Sequence, residues 1–154
     1  MIVLLAYLFL ALFVSFLCSI MEAVLLSTPQ SFLIVKHKNG NLWAKTFIDL
    51  KNNIDKPLSA ILSLNTVAHT IGAAGVGAQA VKVFGEASFG IVSAILTILI
   101  LFLTEIIPKT IGAKYWRNLT RITAFMINGT IIITYPLVVI SVKNKIKIVK
   151  IADT

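Results

Sequence analysis

Charge is scarce in this sequence. Of 154 residues, 13% are Asp, Glu, Lys or Arg, while 58% are hydrophobic. Soluble domains carry about 25% charged residues, so the apolar surface here has no aqueous arrangement that hides it, and a water-soluble fold is excluded. Cysteine is nearly absent: Cys18 stands alone, which excludes an intramolecular disulfide and leaves that thiol as small apolar packing. Histidine is almost as rare, and His37 and His69 are far from any metal-ligand spacing. No nucleophile and base can be assembled from these residues, so no enzyme activity is expected.

What is present is hydrocarbon in long runs. Mean hydropathy is +0.94, and cutting the chain at its charged clusters leaves apolar segments over about 1–26, 58–81, 87–108 and 122–142. A bilayer core of about 30 Å needs roughly 20 helical residues, so the first three segments predict transmembrane helices, over about 1–27, 57–82 and 87–112. The first is expected to be a retained helix rather than a secretory signal, because it lacks a basic leader and exceeds the usual apolar length of about 7 to 15 residues. Between the first two spans, Ser31–Lys38 and Leu42–Leu50 show helical spacing around Asn39-Gly40, predicting a pair of short helices within about 29–54.

Lys36, Lys38, Lys45, Lys51 and Lys56 fill that first connection, whereas the second, near Lys82–Glu86, has no net charge. Basic loops stay inside, which predicts an external N-terminus and brings Lys109, Lys114, Arg117 and Arg121 to the cytoplasmic face. The fourth apolar segment is broken by Asn128, Gly129 and Pro136 and is followed by Lys143, Lys145, Lys147 and Lys150. A full crossing would put one basic cluster on the wrong side, so an amphipathic juxtamembrane helix within about 113–149 is favoured over a fourth span. The expected fold is an all-α membrane protein of the plasma (inner) membrane, with three transmembrane helices, two short cytoplasmic helices and that juxtamembrane helix. The net charge of +8 suits anionic lipid, because every basic cluster abuts an apolar segment and none alternates with aromatics as a nucleic-acid surface does.

Function must then lie in the few polar groups at membrane depth, where a charged side chain costs about 2.5–3.5 kcal/mol on insertion scales unless it finds partners. Glu22, Asn65 and Glu105 each sit on a different span. Helical spacing puts Ser19 beside Glu22 and Ser59 beside Ser63, and Thr104 and Glu105 precede Pro108. Pro108 lacks an N–H and crowds the carbonyl of Thr104, which should free that oxygen. Carboxylate, hydroxyl, amide and carbonyl oxygens suit Mg²⁺, Ca²⁺ or Na⁺ and suit Zn²⁺ or Cu⁺ poorly. The competing reading is structural, with Glu22 snorkelling, Asn65 bonding across helices and the serines satisfying carbonyls. A run of small residues from Ala68 to Ala78 permits close helix approach, either in a homodimer or within the chain, and His69 reads as a hydrogen-bonded interior residue.

Three stretches, Ser19-Ile-Met-Glu22-Ala-Val-Leu, Leu64-Asn65-Thr66-Val67-Ala68-His69 and Thr104-Glu105-Ile-Ile-Pro108-Lys109-Thr110, resemble in order and spacing the motifs of the CorC/CNNM transmembrane domain. The resemblance implies Mg²⁺ bound among three helices, a homodimer encircled by juxtamembrane helices, and export that Na⁺ entry could drive. It makes Ser19, Asn65 and Glu105 the central ligands, with Glu22 and the backbone from Thr104 to Lys109 supporting. Leu64 and Thr104 stand where the family usually has Gly, and His69 where it has a second amide. Full-length relatives continue into cytoplasmic CBS domains, absent from these residues, so a truncation or a stand-alone membrane module is expected. A rival from another class is a membrane anchor or ion sensor that reports to a cytoplasmic regulatory domain without transporting.

Overall fold

A computed structural model describes residues 1–136. Helix α1 runs over Ile2–Ser27 and ends where Pro29 forces Thr28 out of helical geometry, at φ −76°, ψ 116°. The Thr28 backbone N–H and hydroxyl both donate to the Val24 carbonyl, at 3.0 and 2.7 Å, which closes the exposed end. Helices α2 (Gln30–Lys38) and α3 (Leu42–Asn52) follow. The turn between them rests on Gly40 at φ +83°, a left-handed conformation in which a Cβ would be strained.

Helix α4 spans Asp55–Phe84 and stops at Gly85, φ +85°. After a single 3₁₀ turn at Glu86–Ser88, the chain returns through α5 (Phe89–Leu99), a π-helical stretch at Ile100–Ile106 and α6 (Ile107–Lys114). A bend at Tyr115 leads into α7 (Trp116–Ile133). No strand occurs among the described residues. Three helical stretches are long and apolar enough to cross a membrane, Ile2–Ser27, Asp55–Phe84 and Phe89–Lys114, as the sequence predicts. The protein is an all-α membrane protein. Phe9 and Ile91, 71% and 67% exposed, are ordinary on a lipid-facing surface and untenable in water.

The main core lies at the end carrying α2 and α3. Met21, Val24 and Leu25 of α1, Leu33 of α2, Phe47 of α3, Ile61 of α4 and Ile127 of α7 are essentially without solvent contact and form one cluster. Helix α7 lies across the neighbouring ends of α1 and α4: Thr120 meets Thr28, Thr130 meets Met21, and Ile127 and Ile131 join the core. Its low apolarity is resolved by threonine. Thr120, Thr130 and Thr134 are buried, and each hydroxyl donates to the carbonyl four residues back, so a nominally polar face becomes a packing face. The rest of the expected juxtamembrane helix, with its four lysines, lies outside the described residues.

Glycine sets how closely the spans approach. A Cβ at Gly72 would collide with Ala11 and one at Gly75 with the Tyr7 ring, both on α1, while Gly112 of α6 sits against Ala23 and the Ile20 backbone. The small residues at 72 and 75 thus serve packing within the chain. Ala73, Ala74, Gly77 and Ala78 instead border a crevice of about 370 Å³ toward α5.

Candidate functional site: a carboxylate and amide cluster between the three spans

The polar groups of the three spans converge in the half of the bundle nearer α2 and α3. Counted along the helices at about 1.5 Å per residue, Glu22 lies about 7 Å inside the Ser27 end of α1. Lys109 lies about as deep from Lys114. Glu105 and Asn65 lie about 14 and 15 Å inside their own helix ends, near the middle of a 30 Å core.

The contacts form one chain. Asn65 Nδ2 donates to Glu105 Oε1 at 3.2 Å. Lys109 Nζ stands 3.0 Å from Glu105 Oε2 and 3.3 Å from Glu22 Oε2, bridging α6 to α1. On the other side of Asn65, its Oδ1 accepts from Ser15 Oγ at 2.6 Å, and Ser15 Oγ lies 2.5 Å from His69 Nε2. A hydroxyl has one proton. With Ser15 donating to Asn65, the consistent tautomer has His69 Nε2–H donating to Ser15. Thr104 Oγ1 is 3.4 Å from the same ring nitrogen while donating to the Ile100 carbonyl at 2.8 Å.

Ser19 lies one turn of α1 from Glu22, is fully buried, and its hydroxyl has no hydrogen-bond partner among the described residues. A buried polar atom left in that state costs about 1–3 kcal/mol, and native proteins tolerate the cost chiefly where an ion or a water binds or where the group has a chemical role.

The π-helical stretch explains how Glu105 is presented. Ile107 N–H bonds to the carbonyl of Phe102, five residues back. Continuing that register by one residue brings the next carbonyl, Leu103, to Pro108, which has no N–H to give. The sequence expects the proline to disturb the helix at Thr104; the disturbance is instead spread over Ile100–Ile106 as a widened helix. Such bulges occur often at functional sites. Glu105 and Lys109 remain one turn apart across the π-to-α junction, the Glu on the N-terminal side, which is the favourable order for such a pair.

The structure brings Glu22, Asn65 and Glu105 into one hydrogen-bonded and ion-paired cluster, with Thr104 at its edge through His69. Ser19 is on the same face of α1, though its hydroxyl joins no other group among the described residues. Ser59 and Ser63 stand apart: at 100° per residue they lie about 120° and 160° around α4 from Asn65, and Ser63 borders a shallow surface depression with Leu62, Thr66 and Val67. Two members escaped the sequence reading. Ser15 completes the series Ser15, Ser19, Glu22 at i, i+4 and i+7, a spacing that marks one helix face. Lys109 reads in sequence as an interfacial cation, but its ammonium turns inward.

At the end of α1, Lys51 Nζ donates to the Thr28 carbonyl and so ties α3 to it. Burial there lowers its pKa from the usual lysine value.

Three membrane-length helices with a carboxylate and amide cluster at mid-depth define the class: a polytopic membrane domain with an interior polar site. The chain belongs to the family described as the Cyclin M transmembrane N-terminal domain, CNNM, which matches residues 5–153. It is 33% identical over 133 residues to the UPF0053 protein sll1254 of Synechocystis, covering 86% of this chain and 38% of that protein. It is 29% identical over 101 residues to the UPF0053 inner membrane protein YfjD of Escherichia coli, covering 66% of this chain and 24% of that one. A chloroplastic DUF21 domain-containing protein of Arabidopsis thaliana is 31% identical over 87 residues, 56% of this chain and 13% of its own length. The chain thus spans well under half the length of these relatives.

Proposed function

We propose that this chain is a transmembrane ion-transport domain that binds Mg²⁺ between its three spans and exports it, with Na⁺ entry as the driving counter-flow. The observation that carries the reading is the pair of carboxylates, Glu22 and Glu105, held at membrane depth with Asn65, next to the buried hydroxyl of Ser19, which has no partner among the described residues. These are hard oxygen donors contributed by different helices, so a relative movement of the helices would make or break the site. Ser19, Asn65 and Glu105 are the proposed ligands, with Glu22 and the Thr104 backbone supporting; Ser59 and Ser63 are peripheral. Among the described residues, every Lys and Arg except Lys82 belongs to the α2–α3 end or the turns just inside it, which supports placing that end in the cytoplasm and the N-terminus outside. Homodimerisation, and attachment to a regulatory CBS pair in longer relatives, belong to the same reading.

The test is calorimetric titration of the purified, folded chain with Mg²⁺, Ca²⁺ and Na⁺, beside Glu105→Gln and Asn65→Ala. Wild type should bind Mg²⁺, and Glu105→Gln should abolish that binding while keeping helix content. A folded wild type that binds none of the three ions would falsify transport at this site and leave an anchor or sensor, in which the ion pairs only hold the helices together.

A further inference from the structure

We propose that Lys109 is a tethered counter-ion: its ammonium occupies the carboxylate site while the site is empty, and it must leave for a metal cation to enter. The inference rests on the ion-binding reading above and concerns how the charge of that site is reduced and how it lets its ion go.

The ammonium contacts both acidic groups of the cluster at once, Glu22 at 3.3 Å and Glu105 at 3.0 Å, from two different helices. Without it, both carboxylates would be left at membrane depth with the Asn65 N–H on Glu105 as the remaining contact among the described residues. With it, the formal charge of the three groups falls from −2 to −1, and the empty state becomes tolerable in a low-dielectric setting. The same contacts fill the ligand positions that a cation needs. An oxygen of Glu105 cannot serve Lys109 and a metal ion equally, and two cations a few ångströms apart repel strongly wherever water is sparse.

Lys109 can vacate the site because of where it stands. Its side chain is 44% exposed, against 20% and 26% for Glu22 and Glu105, and it lies nearer its helix end than Glu105 does. A lysine stem of four carbons lets the head reach toward the interface without moving the helix. The exchange is an internal substitution: the ammonium leaves as the cation arrives, and returns as the cation departs. A permanently available competitor weakens ion binding and so favours release, which a transporter needs as much as capture.

The experiment compares wild type, Lys109→Met and Lys109→Arg by calorimetric titration with MgCl₂ and with NaCl. Lys109→Met should tighten Mg²⁺ binding by about tenfold or more, and Na⁺ binding by less, because repulsion scales with the charge of the incoming ion. Lys109→Arg should stay near wild type. Unchanged or weaker Mg²⁺ binding by folded Lys109→Met overturns the proposal while leaving the site itself standing. Should Lys109→Met fail to fold, amine-directed labelling of wild type settles it: modification of Lys109, read by peptide mass spectrometry, should rise severalfold at saturating MgCl₂. No change overturns the proposal. Absence of Mg²⁺ binding by the folded wild type removes the ion-site reading and this inference together.

Discussion

The two ends of the three-helix bundle are built by different means. At the α2–α3 end, five helices share one core in which Phe47, Leu33, Ile61 and Ile127 have almost no exposed surface, and α7 lies across it as a strap. At the Gly85 end, Leu4, Val76, Ala80 and Leu96 form a smaller buried cluster among the described residues, and a crevice opens between α4 and α5. The polar site lies toward the densely packed end. Charged and amide groups inside a membrane need their partners held in place, and a many-helix core does this better than side-by-side helices in lipid. The looser end is left with the freedom that any rearrangement of the spans would use.

The largest effect expected from this contrast is on stability. Phe47→Ala removes a large side chain with no exposure from a core outside the lipid contact surface, and the resulting cavity should cost about 3–5 kcal/mol. Leu96→Ala, at the other end, lies where lipid chains can fill space and where helix association gains little from hydrophobic transfer. It should cost markedly less. Thermal unfolding of both variants in the same detergent and in lipid nanodiscs checks this; equal losses would erase the distinction between the ends.

Much of this arrangement is legible in the sequence, for identifiable reasons. The three spans read clearly because length and hydropathy are set by the thickness of the bilayer, and Pro29, Gly40 and Gly85 punctuate the chain where backbone geometry leaves little choice. Glu105, Asn65 and Glu22 stand out because polar groups at membrane depth need a reason. Three features do not read. The π-helical register at Ile100–Ile106 depends on how the chain absorbs the donor missing at Pro108, which spacing alone leaves undetermined. Spacing puts Ser59 and Ser63 on another face of α4 than Asn65 without saying which face turns to α1; that rotation is set by Gly72 meeting Ala11, on the side of Asn65. The threonine face of α7 looks polar, and becomes apolar only once each hydroxyl is returned to its own helix.

Glycine offers the next comparison. A Cβ at Gly112 would lie 2.7 Å from Ala23 Cβ and 3.1 Å from the Ile20 carbonyl oxygen, so α6 and α1 would have to separate. Gly112→Ala should therefore destabilise by about 1–3 kcal/mol and weaken ion binding, because Glu22 and Lys109 meet across that same contact. At Gly77 the added methyl meets, among the described residues, the Phe89 ring at 3.3 Å, and Phe89 is half-exposed and can turn away. Gly77→Ala should be nearly neutral, or slightly stabilising through helix propensity. Chemical denaturation of the pair, with Mg²⁺ titration of each, separates the two outcomes.

The smallest effect sits at the seam between the two ends. Ser15 is fully buried about 18 Å from the Ser27 end of α1, and its hydroxyl joins Asn65 Oδ1 to His69 Nε2. Ser15→Ala removes little volume but takes one hydrogen bond from each partner, and a buried group stripped of its hydrogen bond costs about 1–3 kcal/mol. The lower part of that range is expected, since His69 keeps Thr104 within reach. Ser63→Ala, at the shallow outer depression of the same bundle, should change stability by less than about 0.5 kcal/mol. The informative measurement is the Asn65 amide, followed by NMR in selectively labelled protein. With Ser15 in place, the side-chain NH₂ is directed to Glu105, and its protons should exchange slowly. In Ser15→Ala the amide loses the bond that fixes which way it faces, and exchange should accelerate while the Ser63→Ala spectrum stays as wild type. Identical exchange in all three proteins would mean that Asn65 is oriented by Glu105 alone and that the polar cluster ends there.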